Sequence, residues 1–311
     1  MIIGNEADVT KAVLSELSRA PNPRFREVMG AFVRHLHDFA REVKLTEQEF
    51  QSAIAYIVAL GKHTNENHNE AVLMSGTLGF SALICLLNNG DRGQTETDAS
   101  QLGPFWRLDS PLTENGGSIV RSPTPGPALF VAASFREADG KPIVGAEVDI
   151  WQSSPEGFYE NQDPVQADMN LRGKFRTDAK GGINFRSVKP AGYPIPIDGP
   201  VGELLRAQRR HNMRPAHLHF LAFKEGFKTL TSQIYVPDDK YIDSDVQFGV
   251  TRHLIGNFVR HDEAGPAGVS PPWYSLDHPF IMERGTARLP RAPISGKADG
   301  QRPQIPHLEP A

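Results

Sequence analysis

The chain has 311 residues, of which 39% are hydrophobic and 23% are charged, and its formal net charge is -4. These values are those of a globular protein with one large or two ordinary domains, and the weak negative charge argues against binding to nucleic acid. The single cysteine, Cys85, excludes an intramolecular disulfide. The N-terminus lacks a basic region followed by an apolar run, and no stretch approaches the length of a membrane span. We therefore expect a cytoplasmic protein.

Residues 10–88 show the apolar spacing of amphipathic helices, with hydrophobic side chains three and four positions apart. Thr46-Glu47-Gln48-Glu49 has the pattern of a capping box and predicts the start of a third helix. A fourth helix is predicted from about Asn67 to Asn88, where Asn88-Asn89-Gly90 is a typical stop. We assign residues 1–100 to a helical N-terminal domain.

After Gly90 the pattern changes to short alternating runs divided by Gly, Pro, Asp and Asn, which is typical of a β-sandwich. The predicted strands are Leu129 to Arg136, Glu147 to Gln152, Gly173 to Thr177, Ile183 to Val188, Ala216 to Phe223 and Thr231 to Val236, with a further strand at Phe280 to Met282. The predicted fold is mainly β, with an α-helical N-terminal domain and a β-sandwich catalytic domain over residues 101–290. Residues 291–311 form an extended tail, and Ser295 to Ala311 is expected to be loosely held.

A histidine pair lies in the heptapeptide Arg-Pro-Ala-His-Leu-His-Phe, residues 214–220. The side-chain period of a strand is two, so His217 and His219 share one face while Leu218 and Phe220 share the other. Neutral imidazoles are common metal ligands, and two on one face make half of a metal site. Two partly buried histidines without a metal are the alternative.

Candidates for further ligands are aspartates and tyrosines of the β region. Most of its aspartates lie at predicted turns, where capping of their own backbone is the ordinary role. Tyr159 and Tyr193 each follow a glycine within two residues, in a loop just beyond a predicted strand. Tyrosines in this context usually lie at the edge of a core, so the pattern alone leaves the remaining ligands open.

Five ordered motifs resemble the intradiol ring-cleaving dioxygenases. They are Asp149-Ile150-Trp151-Gln152, Asp168-Met169-Asn170-Leu171-Arg172-Gly173, Gly192-Tyr193-Pro194, the heptapeptide of residues 214–220 and Thr231-Ser232-Gln233-Ile234. The proline-rich stretch from Tyr193 to Leu205 is most similar to the hydroxyquinol 1,2-dioxygenase branch of this family. The resemblance covers nearly the whole chain, including the helices.

The resemblance implies a non-haem iron(III) held by Tyr159, Tyr193, His217 and His219. Two phenolates are hard anionic oxygen donors, which suits iron(III) better than iron(II). In this family the tyrosine at the position of Tyr193 leaves the metal and takes a proton from the substrate. Arg214 would lie beside the substrate ring, and Gln233 would orient the substrate. Both atoms of dioxygen enter the product, so neither NAD(P)H nor flavin is needed.

Further family positions imply a substrate pocket between the helical and β domains. They map to Leu73, Gly76, Gly103, Pro104, Phe105, Ile195, Pro196 and Gln247. Gly76 departs from the acidic residue expected in hydroxyquinol enzymes, and a glycine there would leave room for a differently substituted diphenol. The family also implies a homodimer through the N-terminal helices, with phospholipid bound at the interface.

The expected reaction is cleavage of hydroxyquinol (benzene-1,2,4-triol), or of a close catechol-type diphenol, by dioxygen to a maleylacetate- or muconate-type product. A catechol 1,2-dioxygenase, or another enzyme for substituted catechols, is the nearest alternative. Two alternatives from other classes are a zinc hydrolase that uses His217, His219 and a carboxylate such as Asp149, and a non-catalytic β-sandwich binding module.

Overall fold

A computed structural model describes residues 2–89 and 99–309 of the chain. Its contacts divide the chain into two compact units, Met1–Val58 and Ala59–Ala311. The sequence places the boundary near residue 100, whereas the contacts place it inside the third helix. Gly90, from the predicted helix stop, lies outside the described residues.

The first unit is built on helices with clear capping signals. They are α1 (Glu6–Leu17), α2 (Pro23–Glu42) and the first part of α3 (Glu47–Lys62). The predicted capping box is confirmed, because the Thr46 amide donates to Glu49 Oε2 at 2.9 Å and the Glu49 amide donates to Thr46 Oγ1 at 3.3 Å. A hydrogen bond of 2.9 Å between Thr10 Oγ1 and His37 Nδ1 joins α1 to α2.

Large apolar side chains on α2 are exposed at helical spacing. These residues are Phe25, Val28, Phe32, Leu36 and Phe39. Scattered exposed apolar residues are ordinary, but a continuous row on one helix is typical of an interaction surface.

The second unit contains α4 (Glu70–Thr77), α5 (Phe80–Asn89) and α6 (Pro200–Ala207). The prediction of one continuous fourth helix is wrong, because the chain breaks at Leu78–Gly79, where Gly79 has the left-handed φ of +72°. Among the described residues no single helix is long and apolar enough to cross a membrane, and only α4 and α5 taken together, at 75° to each other, reach the required length and composition.

Two four-stranded sheets confirm the predicted β-sandwich. The strands are β1 (Ala128–Arg136), β2 (Glu147–Gln152), β3 (Arg172–Arg176), β4 (Gly182–Val188), β5 (Tyr193–Pro194), β6 (Met213–Arg214), β7 (His217–Phe223), β8 (Leu230–Tyr235), β9 (Phe258–His261) and β10 (Trp273–Ile281). One sheet has the order β4-β1-β10-β9, the other has the order β3-β2-β7-β8, and β5 pairs with β6. Only β1 and β10 pair in parallel among these strands.

The core lies between the two sheets. Val148 and Ile150 of β2 and Leu218 and Phe220 of β7 belong to it and are fully buried. Because side chains alternate along a strand, the residues between them project from the opposite face of the β3-β2-β7-β8 sheet. That outer face carries the functional residues.

The prediction of a loosely held tail is wrong for residues 295–309. This segment has no helix or strand, but its backbone is hydrogen-bonded to other parts of the second unit. The Ser295 amide donates to Glu66 O at 2.8 Å, the Ala298 amide donates to Asn161 O at 2.7 Å, and the Leu308 amide donates to Asn212 Oδ1 at 3.0 Å.

Candidate metal centre

A row of four side chains crosses the outer face of the β3-β2-β7-β8 sheet. The strand register places Arg172 opposite Trp151, Trp151 opposite His219, and His219 opposite Gln233. The Trp151 and His219 rings stack with centroids 4.4 Å apart and planes 9° apart. This stacking restricts rotation of the His219 ring, so that its Nε2 atom has a defined direction.

Three donor atoms converge beside this row. The Nε2 atoms of His217 and His219 are 3.0 Å apart, and Tyr159 Oη lies 3.0 Å from His219 Nε2 and 3.4 Å from His217 Nε2. All three side chains are buried. Such a triangle of nitrogen and oxygen atoms, closed off from solvent, is unusual without an ion to bind.

The two tyrosines reach the histidines by different routes. Tyr159 lies in the loop that follows β2, whereas Tyr193 lies in β5, directly opposite Arg214 of β6. Gly157 has a φ of +80°, and a Cβ atom there would lie 3.2 Å from Gly192 O and 3.5 Å from Tyr193 Cβ. A glycine at this position therefore lets the two tyrosine-bearing segments approach, and the Tyr159 and Tyr193 ring centroids are 5.1 Å apart.

Burial keeps this cluster neutral. It lowers the pKa of His217 to about 3, with Arg214 adding to the effect, and it holds the pKa of His219 well below the ordinary value, with His217 adding to it. It raises the pKa of the Tyr159 phenol well above its usual range, and it raises that of Tyr193 against the opposing charge of Arg214. His217 Nδ1 lies 2.7 Å from Pro215 O, which only accepts, so Nδ1 carries the hydrogen and Nε2 presents a lone pair.

The donor set fits a metal ion. Two ligand atoms that each lie about 2.0–2.1 Å from one ion, at an angle of about 90–110°, are separated by about 2.9–3.4 Å, which matches the three distances in the triangle. The unprotonated nitrogen of a neutral imidazole can coordinate a metal ion without losing a proton first. A phenol that binds a multivalent cation loses its proton. Residues 2–89 and 99–309 contain no cluster of three or more His, Cys, Asp or Glu suited to a metal. A metal here therefore depends on the tyrosines.

Arg214 points into the centre, although it lies three positions before His217. Its NH1 atom is 3.3 Å from His217 Nε2 and 3.4 Å from Tyr193 Oη. Its Nε and NH2 atoms donate to the two carboxylate oxygens of Asp245 at 3.0 and 2.9 Å. Burial alone would raise the pKa of Asp245, but Arg214 and two backbone amides outweigh it and hold the pKa below its usual range. The pair is therefore ionic and fully buried.

Gln233 supports Arg214 in this arrangement. Its Oε1 accepts from Arg214 NH2 at 3.0 Å, and its Nε2 donates to Gln101 O at 2.6 Å. Tyr235 Oη also accepts from Arg214 NH2, at 2.7 Å. Both ends of the Gln233 amide are thus hydrogen-bonded within the chain, and the role in orienting the substrate that the family resemblance implies for Gln233 stays a prediction.

A second buried ion cluster lies beside Tyr159. Glu160 Oε1 accepts from Arg107 NH1 at 2.9 Å and from Arg172 Nε, and Arg172 NH2 donates to Asn161 Oδ1 at 3.0 Å. The Arg172 charge lowers the pKa of the Tyr159 phenol against the larger effect of burial. Sequence reasoning missed these residues and Asp245, although Arg172 was quoted within a motif. Glu160, directly after Tyr159 in the sequence, was the available signal, whereas Arg107 and Asp245 are distant in sequence from every candidate ligand.

Two of the predicted pocket residues lie against the centre, and four border two different cavities. Gly103 lies against the centre, since a Cβ atom there would be 3.4 Å from His219 Cε1. The Phe105 ring is 4.6 Å from the Tyr159 ring. Gly103 and Gln247 line a cavity of about 840 Å³, and Phe105 and Pro196 line another of about 620 Å³. Leu73, Pro104 and Ile195 are buried.

The expectation that Gly76 leaves room for a substrate group is wrong. A Cβ atom at Gly76 would lie 2.9 Å from Cδ and 3.0 Å from Nε2 of Gln247. The Gln247 carboxamide already occupies this space. A neutral amide therefore lies where the resemblance led us to expect a carboxylate.

Asp149, the carboxylate of the zinc alternative, is not directed at the histidines. Its Oδ2 accepts from Trp106 Nε1 at 3.1 Å, and its Oδ1 is 3.9 Å from Lys174 Nζ, too far for a hydrogen bond. The strand register places it opposite Leu221, two residues beyond His219. The described residues therefore give no support to a zinc site that includes Asp149.

Asp149 predicts a specific pH dependence of stability. Burial raises its pKa from 3.8 to about 6, against the charge of Lys174 and the Trp106 hydrogen bond. Between about pH 4 and 6 the Asp149 carboxyl is protonated in the folded protein but ionised in the unfolded chain. The contribution of its protonation to the free energy of unfolding is therefore complete below about pH 4 and is lost as the pH rises through 6. We expect Asp149→Asn to gain stability relative to the parent protein by up to about 3 kcal/mol between pH 4 and 7.

Urea unfolding of both proteins across this pH range measures the difference. Asp243→Asn makes the same change at an exposed position and should show no such trend. A stability difference between Asp149→Asn and the parent that stays constant with pH would contradict the assignment.

Two family models match the chain. The model described as "Dioxygenase" matches residues 103–276, and the one described as "Catechol dioxygenase N terminus" matches residues 22–96. The first includes every candidate metal ligand, and the second covers the predicted helical region from α2 onward.

Curated relatives and solved structures agree with these matches. The hydroxyquinol 1,2-dioxygenase of Rhizobium sp. (strain MTP-10005) is 39% identical over 88% of this chain and 94% of the relative. The catechol 1,2-dioxygenase of Candida albicans is 35% identical over 94% of this chain and 97% of the relative. The structure of hydroxyquinol 1,2-dioxygenase from Pseudomonas putida DLL-E4 superposes with a TM-score of 0.79 at 36% identity, covering 90% of this chain and 99% of that one.

Proposed function

Because the chain belongs to the intradiol ring-cleavage dioxygenases, we propose that Tyr159, Tyr193, His217 and His219 hold a non-haem iron(III) at which this enzyme works. The enzyme cleaves the ring of a hydroxyquinol or catechol-type substrate between its two neighbouring hydroxyl carbons. Members of the family generally depend on non-haem iron(III). The observation that carries the ligand assignment is the buried triangle formed by Tyr159 Oη and the two histidine Nε2 atoms.

The four side chains suit this metal. Two imidazole nitrogens and two phenolate oxygens supply two negative charges, which favours a trivalent ion. The chemistry that bound iron(III) supplies is the withdrawal of electron density from a diphenolate, which lets a ring carbon react with dioxygen. Both oxygen atoms end in the ring-opened diacid, so the balance requires no NAD(P)H or flavin.

Tyr193 is proposed to take one of the two protons that the diphenol releases. Burial raises the pKa of the Tyr193 phenol against the opposing charge of Arg214, so Tyr193 Oη can hold a proton when no metal ion is bound to it. Arg214 NH1 lies 3.4 Å from this oxygen and can hold it after the proton has arrived. The charge of Arg214, fixed by Asp245, would also stabilise negative charge that develops on the substrate ring.

Hydroxyquinol is the proposed substrate, and a catechol is the second candidate. The identity of 39% to a hydroxyquinol enzyme supports the first, and the identity of 35% to a catechol enzyme keeps the second open. The Gln247 carboxamide, packed against Gly76, brings a neutral hydrogen-bonding group to the cavity that Gly103 also lines. An amide can pair with the additional hydroxyl of a triol, whereas a catechol offers it no such partner.

Oxygen uptake tests the proposed function. Metal-free protein reconstituted with iron(III) should consume one dioxygen per substrate, and its product should carry two labelled atoms when 18O-labelled dioxygen is used. Protein reconstituted with zinc serves as the control and should consume none. We expect a higher kcat/KM for hydroxyquinol than for catechol. Fully iron-loaded protein that consumes no oxygen with any diphenol would refute the function.

A homodimer through the N-terminal helices, with phospholipid at the interface, stays a prediction. The exposed apolar row on α2 supports it, since such a row is stabilised when a second apolar surface covers it. Sedimentation of the intact protein as a monomer would contradict it.

A further inference from the structure

The C-terminal segment, residues 295–309, contacts both tyrosine-bearing parts of the centre. We call it the strap. It lies more than a hundred residues along the chain from Tyr159 and Tyr193, yet most of its hydrogen bonds go to segments next to them.

Lys297 makes the most specific contact of the strap. Its Nζ donates to the carbonyl oxygens of Glu160, Asp163 and Gln166 at 2.7, 2.6 and 2.8 Å. An ammonium group has three donors, so all of them are used on this one loop. The loop begins directly after Tyr159. One cation therefore binds three carbonyl oxygens of this loop.

Arg302 holds the same loop from both sides of Tyr159. Its NH2 lies 2.7 Å from Asp163 Oδ2 and its NH1 lies 2.7 Å from Glu156 Oε2. Its guanidinium also lies over the Phe158 ring, 5.5 Å from the centroid. The stretch from residue 156 to 166 is thus attached to the strap at both ends, with Tyr159 between them.

The far end of the strap reaches the segment of Tyr193 through Asn212. The Asn212 side chain donates to Pro306 O at 3.1 Å and accepts from the Leu308 amide at 3.0 Å. The same side chain donates to Ile195 O at 3.0 Å, two residues beyond Tyr193. Asn212 is fully buried, so these bonds do not compete with water.

We propose that the strap is a positioning element that holds the two phenols at the separation required for metal binding, with Lys297 as its main contact. The inference rests on the proposed ligand role of Tyr159 and Tyr193. A metal centre loses affinity when its ligands are free to move, because the cost of ordering them is then paid at binding. Neither Lys297 nor Arg302 touches the donor atoms, so each acts through the loop that bears Tyr159.

Lys297→Met tests the proposal, since it removes the three donors and keeps most of the aliphatic stem. Lys180→Met makes the same change at an exposed hairpin turn and is the matched control. In metal-free protein we expect the Gln162, Asp163 and Gln166 amides to exchange hydrogen about ten times faster in Lys297→Met than in the parent or in Lys180→Met. In iron-loaded protein we expect iron release to a chelator about ten times faster, with a shifted visible absorption band.

Lys297→Arg should restore part of the slow iron release, because a guanidinium can still donate to two of the three carbonyls. Truncation after Pro303 keeps Lys297 and Arg302 but removes the contacts to Asn212, and it should speed exchange at the Ile195 amide without affecting that of Gln166. Parent-like exchange and iron release in both Lys297→Met and the truncated protein would overturn the proposal. The exchange measurement needs no metal, so it stands even if iron(III) proves to be the wrong cofactor. Parent-like exchange in a protein that does bind iron would refute only the strap.

Discussion

Replacing Tyr159 with phenylalanine is expected to remove the visible colour of the iron-loaded protein and to lower its oxygen uptake by more than about 100-fold. Loss of a residue that only orients a ligand costs about 10–100-fold in metal affinity or activity, and loss of a ligand should cost more. Tyr159 Oη is one corner of the triangle completed by the Nε2 atoms of His217 and His219. Phenylalanine keeps the ring packed against Phe105, so the change removes the donor atom and little else.

Tyr193→Phe should differ in a defined way from Tyr159→Phe. It leaves the triangle intact, so iron should be retained more firmly, while turnover should fall because the proposed acceptor of the substrate proton is removed. Tyr274→Phe makes the same change on β10 and is the control, since Lys189 can still lie over the ring. Iron content, the visible spectrum and oxygen uptake distinguish the three variants. A Tyr159→Phe protein with unchanged iron content and spectrum would remove Tyr159 from the ligand set.

Arg214→Lys should lower kcat by about 10²–10³-fold and destabilise the metal-free protein by about 2–4 kcal/mol. The guanidinium donates at once to Asp245, Tyr235 and Gln233 from a fully buried position. A lysine keeps the charge but lacks the planar set of N–H donors of a guanidinium. Each buried acceptor left without a donor lowers the free energy of unfolding by about 1–3 kcal/mol. The loss in kcat follows because a fixed cation that stabilises developing charge contributes about 10²–10³-fold to the rate.

The chain offers a matched control for this substitution. Arg284 makes the same bidentate contact, with Nε and NH2 donating to the two carboxylate oxygens of Glu137 at 2.7 and 2.6 Å. Its side chain, however, is 62% exposed. Arg284→Lys should change stability by no more than about 1 kcal/mol, as is usual for exposed pairs, and should leave kcat unchanged. Urea unfolding of the metal-free proteins and steady-state oxygen uptake provide both comparisons. Equal effects of the two substitutions would show that Arg214 has no special role.

Local periodicity was enough to predict several features of this molecule. The alternation along β7 predicted that His217 and His219 face away from Leu218 and Phe220, because the two-residue period belongs to any strand. The capping box at Thr46 was predictable for the same reason, since it depends on two side chains within one turn. The order of short strands predicted the sandwich, and five ordered motifs predicted the family.

Contacts between distant residues could not be read from such patterns. The pairing of Arg214 with Asp245 joins residues 31 positions apart, and that of Lys297 with Glu160 joins residues 137 positions apart. The space beside Gly76 is filled by the Gln247 side chain. Whether a glycine there leaves room for substrate therefore depends on a residue from another part of the chain. The sequence of the strap predicted a loose tail because it has neither helical nor strand periodicity. The side chains of Lys297 and Arg302 nevertheless form hydrogen bonds with the loop that bears Tyr159.

The sequence by itself determined the strand that presents the two imidazoles, because the period of a strand is set by its own backbone. The motifs that resemble the family named Tyr159 and Tyr193 as partners of these imidazoles, but only the tertiary structure showed how Tyr159 reaches them. Tyr159 approaches His217 across 58 positions, and it does so because the loop after β2 is turned towards the outer face of the sheet and attached there by buried charges and by the strap. The positions of donors brought together from separate loops depend on how the chain packs, and no local period encodes that packing.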